Sequence, residues 1–154
     1  MQLQLIQFVA LCLLVLVTGV FWGPWLALHR SLRVFSREEF IKITNTLAAN
    51  LGRPMQIMLP LCVVLMGVSV LLFPAKSSID FYLLTASWGC LLITLLVTMT
   101  TELPIVNQIQ HWTAATMPTD WEAVRDKWVR FHALRVFPAL LSVALYLIVI
   151  LHIF

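Results

Sequence analysis

Five residues in the last third of the chain carry most of its chemical capacity: Trp121, Arg125, Trp128, His132 and Arg135. Their spacing of 4, 3, 4 and 3 residues confines them, on a helix turning about 100° per residue, to an arc of about 80°. Such a face presents indole, guanidinium, indole, imidazole and guanidinium in order, and Ala139 and Ser142 extend it with small side chains. Glu122, Lys127 and Arg130 fall on the other face as solvent-facing charges. A second group precedes the first: Glu102, Asn107, His111 and Trp112, with Asn107 and His111 one turn apart on a shared face. Imidazole changes protonation near neutral pH and serves as a general base. A guanidinium stabilises an oxyanion, indoles sandwich a flat ring, and an amide orients an imidazole or bonds a carbonyl. The candidate catalytic residues are therefore His132, His111, Arg135, Arg125, Asn107 and Glu102. The candidate substrate-binding residues are Trp112, Trp121 and Trp128. Plainer roles exist for each kind: tryptophans form interfacial belts, and Arg135 can snorkel or pair with Glu102. His29 beside Arg30 and His152 near the far end read as ordinary surface histidines.

The elements that must position these groups follow from composition. Of 154 residues, 61% are hydrophobic and only 11% charged, against about 25% charged in a soluble domain. Mean hydropathy is +0.95. No charge precedes Arg30 and none follows Arg135. This pattern excludes a soluble enzyme domain, a disordered chain and a nucleic-acid module, and a net charge of +3 without a basic run indicates no polyanion partner. Four charge-free stretches, 8–28, 54–75, 81–101 and 136–154, reach the roughly 20 residues that cross a bilayer as a helix. The fold class expected is all-α: an integral membrane four-helix bundle with cytoplasmic helical extensions, one domain over 1–154. The first stretch reads as a retained span, because residues 1–7 hold no Lys or Arg and no small-x-small cleavage site follows.

The connections differ. Residues 74–80 form a tight hairpin, whereas 29–53 and 102–135 are long and carry nine of the ten basic residues. The positive-inside rule puts both basic connections in the cytoplasm and both termini outside. Ser36 to Glu39 spells a capping box, predicting an amphipathic helix over 37–51 that stops near Gly52, before Pro54. Thr119 to Glu122 spells a second box, starting a helix that runs unbroken into the fourth span. If the third span continues to about Met117, residues 102–135 form an interfacial helical hairpin about Pro118–Thr119. Counting outward from that turn sets Glu102 level with Arg135, Ile105 level with His132, and His111 near Arg125 and Asp126. Ionisable groups gathered at that depth are costly unless paired and point to a functional site. Cys12, Cys62 and Cys90 fall mid-span and far apart, as small hydrophobes. No Cys-x-x-Cys, GxGxxG, P-loop or HExxH occurs.

The run Asn107, Trp112, Pro118, Trp121, Arg125, Trp128, His132, Arg135 resembles the signature of the anthrone oxygenase-like family of small four-span integral membrane proteins, many of unknown function. Gly19-Val-Phe-Trp22-Gly23 is similar to that family's glycine-aromatic first helix, and the rest of the first two-thirds matches in hydropathy. A hydroxyl residue often follows the last arginine of the family, where this chain has Val136. The resemblance implies oxidation of an electron-rich aromatic carbanion by O₂. A base removes the acidic methylene proton, and the enolate reduces O₂ itself, without strict need of metal or flavin. His132 or His111 then acts as base, Arg135 or Arg125 as oxyanion partner, and the three tryptophans as ring contacts.

The leading reading is a membrane-embedded oxygenase or oxidase acting on a lipophilic anthrone- or quinone-type molecule. One alternative is a haem- or metal-binding protein with His111 and His132 as ligands, although their spacing fits no standard metal motif. Another is a non-enzymatic four-helix subunit, which predicts no cavity beneath the hairpin. No cofactor is assigned, and metal or haem belongs to the first alternative. The partners expected are a lipophilic small molecule and membrane lipid, not nucleic acid; a homo-oligomer is left open, since Ala86 to Gly89 supplies small residues for helix packing.

Overall fold

The computed structural model describes residues 2–29, 31–113 and 115–153. Arg30 of the first basic connection and Phe154 of the fourth stretch lie outside the described residues. The chain is helical almost throughout, with no strand among the described residues: α1 Gln2–Leu28, α2 Arg37–Leu72, α3 Ile79–Val97, a π-helical turn Thr98–Glu102, α4 Leu103–Gln110 and α5 Trp121–Ile153. Four helical segments are long and apolar enough to cross a membrane, α3 to α4 counting as one rod. This is a multi-pass membrane protein. α1 packs on α2 and α5, α2 also on α3, and α3 along α5 in the most extensive contact. Each span thus lies beside its chain neighbours, and the last closes against the first, as in an up-down bundle.

Local sequence explains the helix ends. The Ser36 hydroxyl accepts the Glu39 N–H at 3.4 Å and the Glu39 carboxylate accepts the Ser36 N–H at 2.7 Å, closing the first capping box. Donation to the Glu39 carboxylate by the Ser36 N–H first, and by the Ser36 hydroxyl at 2.8 Å second, holds its carboxyl below the ordinary value of 4.5. At the other end of α2, Lys76 Nζ donates to the Val70 and Leu71 carbonyls, each at 2.7 Å. Carbonyls of a last turn lack the usual partner four residues on and attract cations. The Ser78 hydroxyl caps α3 by accepting the Phe81 N–H at 3.2 Å.

Three expectations are corrected. First, α2 does not stop near Gly52: the amphipathic segment and the second span are one helix of 36 residues, with Pro54 and Pro60 inside it. No glycine takes the positive φ that a helix-ending glycine uses, and each proline forfeits just one backbone bond. At 1.5 Å per residue α2 measures about 54 Å, against a hydrocarbon thickness of about 30 Å, so it projects well beyond the bilayer. Second, the third rod ends at Gln110 rather than Met117. The Thr113 N–H donates to Thr116 Oγ1 (2.9 Å) and the Thr116 N–H to Thr113 Oγ1 (3.2 Å), so local hydroxyls displace the helical bonds. Third, α5 begins at Trp121, not at a Thr119 cap, after backbone bonds from Trp121 N–H to Pro118 O and Ala123 N–H to Asp120 O.

Two apolar cores result. The larger fills the bundle and includes Leu14, Met66, Leu84 and Tyr146. The smaller, with Leu32, Phe40, Trp112, Trp121 and Trp128, closes the end that carries the long connections. Outward-facing Leu16, Ile57, Val64, Leu71 and Phe137 are exposed in the isolated chain, as expected of a surface that lipid covers.

Candidate active site

A cavity of about 250 Å³ lies where the two cores separate. α1 contributes Phe21 and Pro24, α2 Thr44, Leu51, Met55 and Leu59, the third rod Leu95, Thr98, Glu102 and Asn107, and α5 Trp128, His132 and Arg135. The lining is mostly apolar with a few converging polar groups, the usual make-up of a small-molecule site. Phe21, Trp128 and His132 close it on the α1/α5 side, while Gln56, Met99, Asn107 and Gln110 are exposed along its α2/α4 edge.

The π turn places the acid. Pro104 has no N–H to give the Thr100 carbonyl, and its ring crowds that position. The helix widens just before it, the Leu103 N–H reaching back five residues to Thr98 O. One extra residue rotates everything after it by about 100° relative to α3. Glu102, at the end of this turn, is 2% exposed. Its Oε1 lies 3.5 Å from Arg135 Nε and 3.4 Å from His132 Nδ1. The contact with Arg135 is an electrostatic attraction, but neither contact is aligned as a hydrogen bond, and both carboxylate oxygens and Arg135 Nε lack hydrogen-bond partners. Native proteins rarely leave such groups unsatisfied.

α5 supplies the rest from one stripe. Arg135 Nη2 donates to His132 Nδ1 at 2.9 Å, and His132 Nε2 donates to the Phe21 carbonyl at 3.1 Å. Arg135 Nη1 donates to Thr98 Oγ1 at 3.4 Å, and its guanidinium carbon sits 4.5 Å from the Phe21 ring centroid. This contact adds a cation–π attraction. The Trp128 ring lies 5.4 Å from the imidazole, and its Nε1–H has no partner.

Of the residues expected from sequence, Glu102, Asn107, Trp128, His132 and Arg135 line this cavity. His111, Trp112, Trp121 and Arg125 do not. His111 is exposed, its Nδ1 bonded to the Asn107 carbonyl at 2.7 Å. Arg125 is buried against its neighbour Asp126 (3.1 Å) and 5.1 Å from the Trp121 ring. Trp121 in turn packs 5.6 Å from Phe40, and Trp112 belongs to the same end core. The stripe is therefore split. Its membrane half faces the cavity, while in its outer half Trp121 packs on Phe40 of α2 and Arg125 on its own helix. Ile105 is buried in the end core rather than beside His132, since the π turn shifts the register. The expectation that His111 and His132 converge as ligands is also corrected: one is exposed at the C-cap of α4, the other buried with both nitrogens engaged. Among the described residues no three His, Cys, Asp or Glu side chains gather as metal ligands.

Sequence reasoning missed Phe21, whose carbonyl and ring both serve the site, and Thr98. Pro104 was the available signal for the π turn. His152 lies 2.8 Å from Asp80 at the opposite end of the bundle. Cys12, Cys62 and Cys90 are free.

The profile of the anthrone oxygenase family matches residues 47–145, well over half of the chain. The chain belongs to the anthrone oxygenase family. The match takes in every cavity residue named above on the third rod and α5, together with the α2 wall from Leu51. α1, and with it Phe21, lies before the matched region. No curated protein and no solved structure matches the chain significantly.

Proposed function

We propose that this protein is a membrane-embedded oxygenase that admits a flat, lipophilic aromatic compound with an acidic methylene and oxidises that methylene to a carbonyl with O₂. The balance for an anthrone is one substrate and one O₂ giving one quinone and one water. A C–H bond breaks first, leaving an enolate. Transfer of electrons from the enolate to O₂ forms a C–O bond and a hydroperoxide, and loss of water from this gives the ketone. The observation that carries the reading is the Glu102, His132 and Arg135 cluster on the wall of an otherwise apolar 250 Å³ cavity, inside the region matching the family. The carboxylate and imidazole can hold or move a proton, and the guanidinium can face the enolate oxygen. The volume, about 250 Å³, falls just below the roughly 300–1,000 Å³ usual for small-molecule sites, and suits one compact ligand.

The cavity counts against a purely structural subunit, and the separation of His111 from His132 counts against a bis-histidine metal or haem site. The long basic connections support placing the cavity end of the bundle at the cytoplasmic face, with both termini outside. The test uses purified protein in vesicles supplied with anthrone. O₂ uptake matched mole for mole by quinone, faster than in protein-free vesicles, is expected. Rates equal to those of empty vesicles rule the activity out.

A further inference from the structure

The two proton-carrying side chains of the site are held in opposite ways. A guanidinium nitrogen can only donate and a peptide carbonyl can only accept. Arg135 Nη2, at 2.9 Å, therefore makes His132 Nδ1 an acceptor, and the Phe21 carbonyl, at 3.1 Å, makes Nε2 the donor. The lone pair of Nδ1 thus already faces a guanidinium. A proton added there would break that bond and set two cations side by side. Glu102 is the reverse case. It is 2% exposed, it lines the cavity, and neither oxygen has a hydrogen-bond partner. Oε1 lies toward Arg135 and His132, and Oε2 has no hydrogen-bond partner of any kind.

We propose that Glu102 is the catalytic base of the reaction and that His132 is a positioning residue, holding Arg135 in place and tying α5 to α1 through Phe21. The assignment rests on the reading of the cavity as a site for a carbon acid. Glu102 Oε2 takes the methylene proton, and an O–H bond forms as the C–H bond breaks. The electron pair of that bond passes into the conjugated ring carbonyl as an enolate. One negative charge leaves the carboxylate as one appears on the substrate, so the charge within the cavity is unchanged. Arg135, relieved of the carboxylate, then faces the enolate. A step that moves an existing charge avoids creating a new one in a poorly solvated site.

Hydrogen–deuterium exchange isolates this step from O₂ chemistry. Anthrone is incubated anaerobically in D₂O with the full-length protein in vesicles, and loss of methylene protons is followed by NMR. The wild type accelerates exchange, and Glu102→Gln lowers the acceleration by about 10²–10⁴-fold. Glu102→Asp keeps a negative charge beside Arg135, which protects the fold, but withdraws the carboxylate by one methylene, and it loses at least about tenfold. His132→Gln keeps most of the rate, because its amide can donate to Phe21 O and accept from Arg135 without being basic, whereas His132→Ala loses part of it. A His132→Gln variant without exchange beside an active Glu102→Gln overturns the assignment, and so does a folded Glu102→Asp at the full wild-type rate. A wild type that gives no acceleration overturns the carbon-acid reading of the cavity, and the assignment with it.

Discussion

Among the buried polar contacts between the third rod and α5, two meetings are built on different terms. Near mid-bundle, Ser87 Oγ donates to the Ser142 carbonyl at 2.7 Å and Ser142 Oγ to the Ser87 carbonyl at 2.8 Å, with the hydroxyls 3.1 Å apart. Every hydroxyl there has its partner, and the small side chains let the helices approach closely. Toward the end that carries the long connections, Glu102, His132 and Arg135 meet across the same helix pair, yet both carboxylate oxygens and Arg135 Nε remain without hydrogen bonds beside a cavity. A closed polar pair is a packing device. The open one is the meeting to which we assign ligand binding. Strand, loop or motif alone does not separate the two; the satisfaction of each polar atom does.

Substitutions can break this contrast. Arg135→Leu strands the Glu102 carboxylate in a dry site and should lower stability by about 3–5 kcal/mol, measured by thermal unfolding in detergent. Adding Glu102→Gln to it should recover part of that loss. Strict additivity in the cycle shows that the two groups do not interact. The next effect concerns access. An added Cβ at Gly52, on the cavity wall, meets no atom within 4 Å. Gly52→Leu should therefore fill space without strain, raising KM for anthrone roughly tenfold while the melting temperature stays near wild type. An unchanged KM removes the α2 wall from the substrate path.

At the closed meeting, Ser142→Ala should cost about 1 kcal/mol of stability and leave kcat/KM unchanged; a large loss of activity there erases the distinction between the two meetings. The smallest effect lies at the α2 cap. Glu39 binds its proton less readily folded than unfolded, because Ser36 bonds its carboxylate. Its stabilisation is thus complete above the ordinary value of 4.5 and lost as pH falls through the lowered folded value. Hydrogen exchange of the first turn of α2 should rise in that acid range, and Glu39→Gln should remove the pH dependence.

The sequence by itself determined what solvation dictates. Stretches without charge must be helices in lipid, so the count of spans and the bundle class were legible, as was the Ser36 box, a local bond pattern over four residues. The 4, 3, 4, 3 stripe on α5 was equally legible as a face, because helical periodicity needs no neighbour. What covers that face was not. The tertiary structure decided that α2 continues through Gly52 and Pro54 with Phe40 packed on Trp121, leaving Trp128, His132 and Arg135 to the cavity. It also decided that a π turn before Pro104 swings Glu102 inward while His111 stays exposed. Whether a proline ends, kinks or widens a helix depends on which neighbours compensate its missing bond, and that information is shared among helices far apart in the chain. The same holds for Phe21, whose carbonyl carries no sequence signal and acquires its part in the site only when α1 packs against α5.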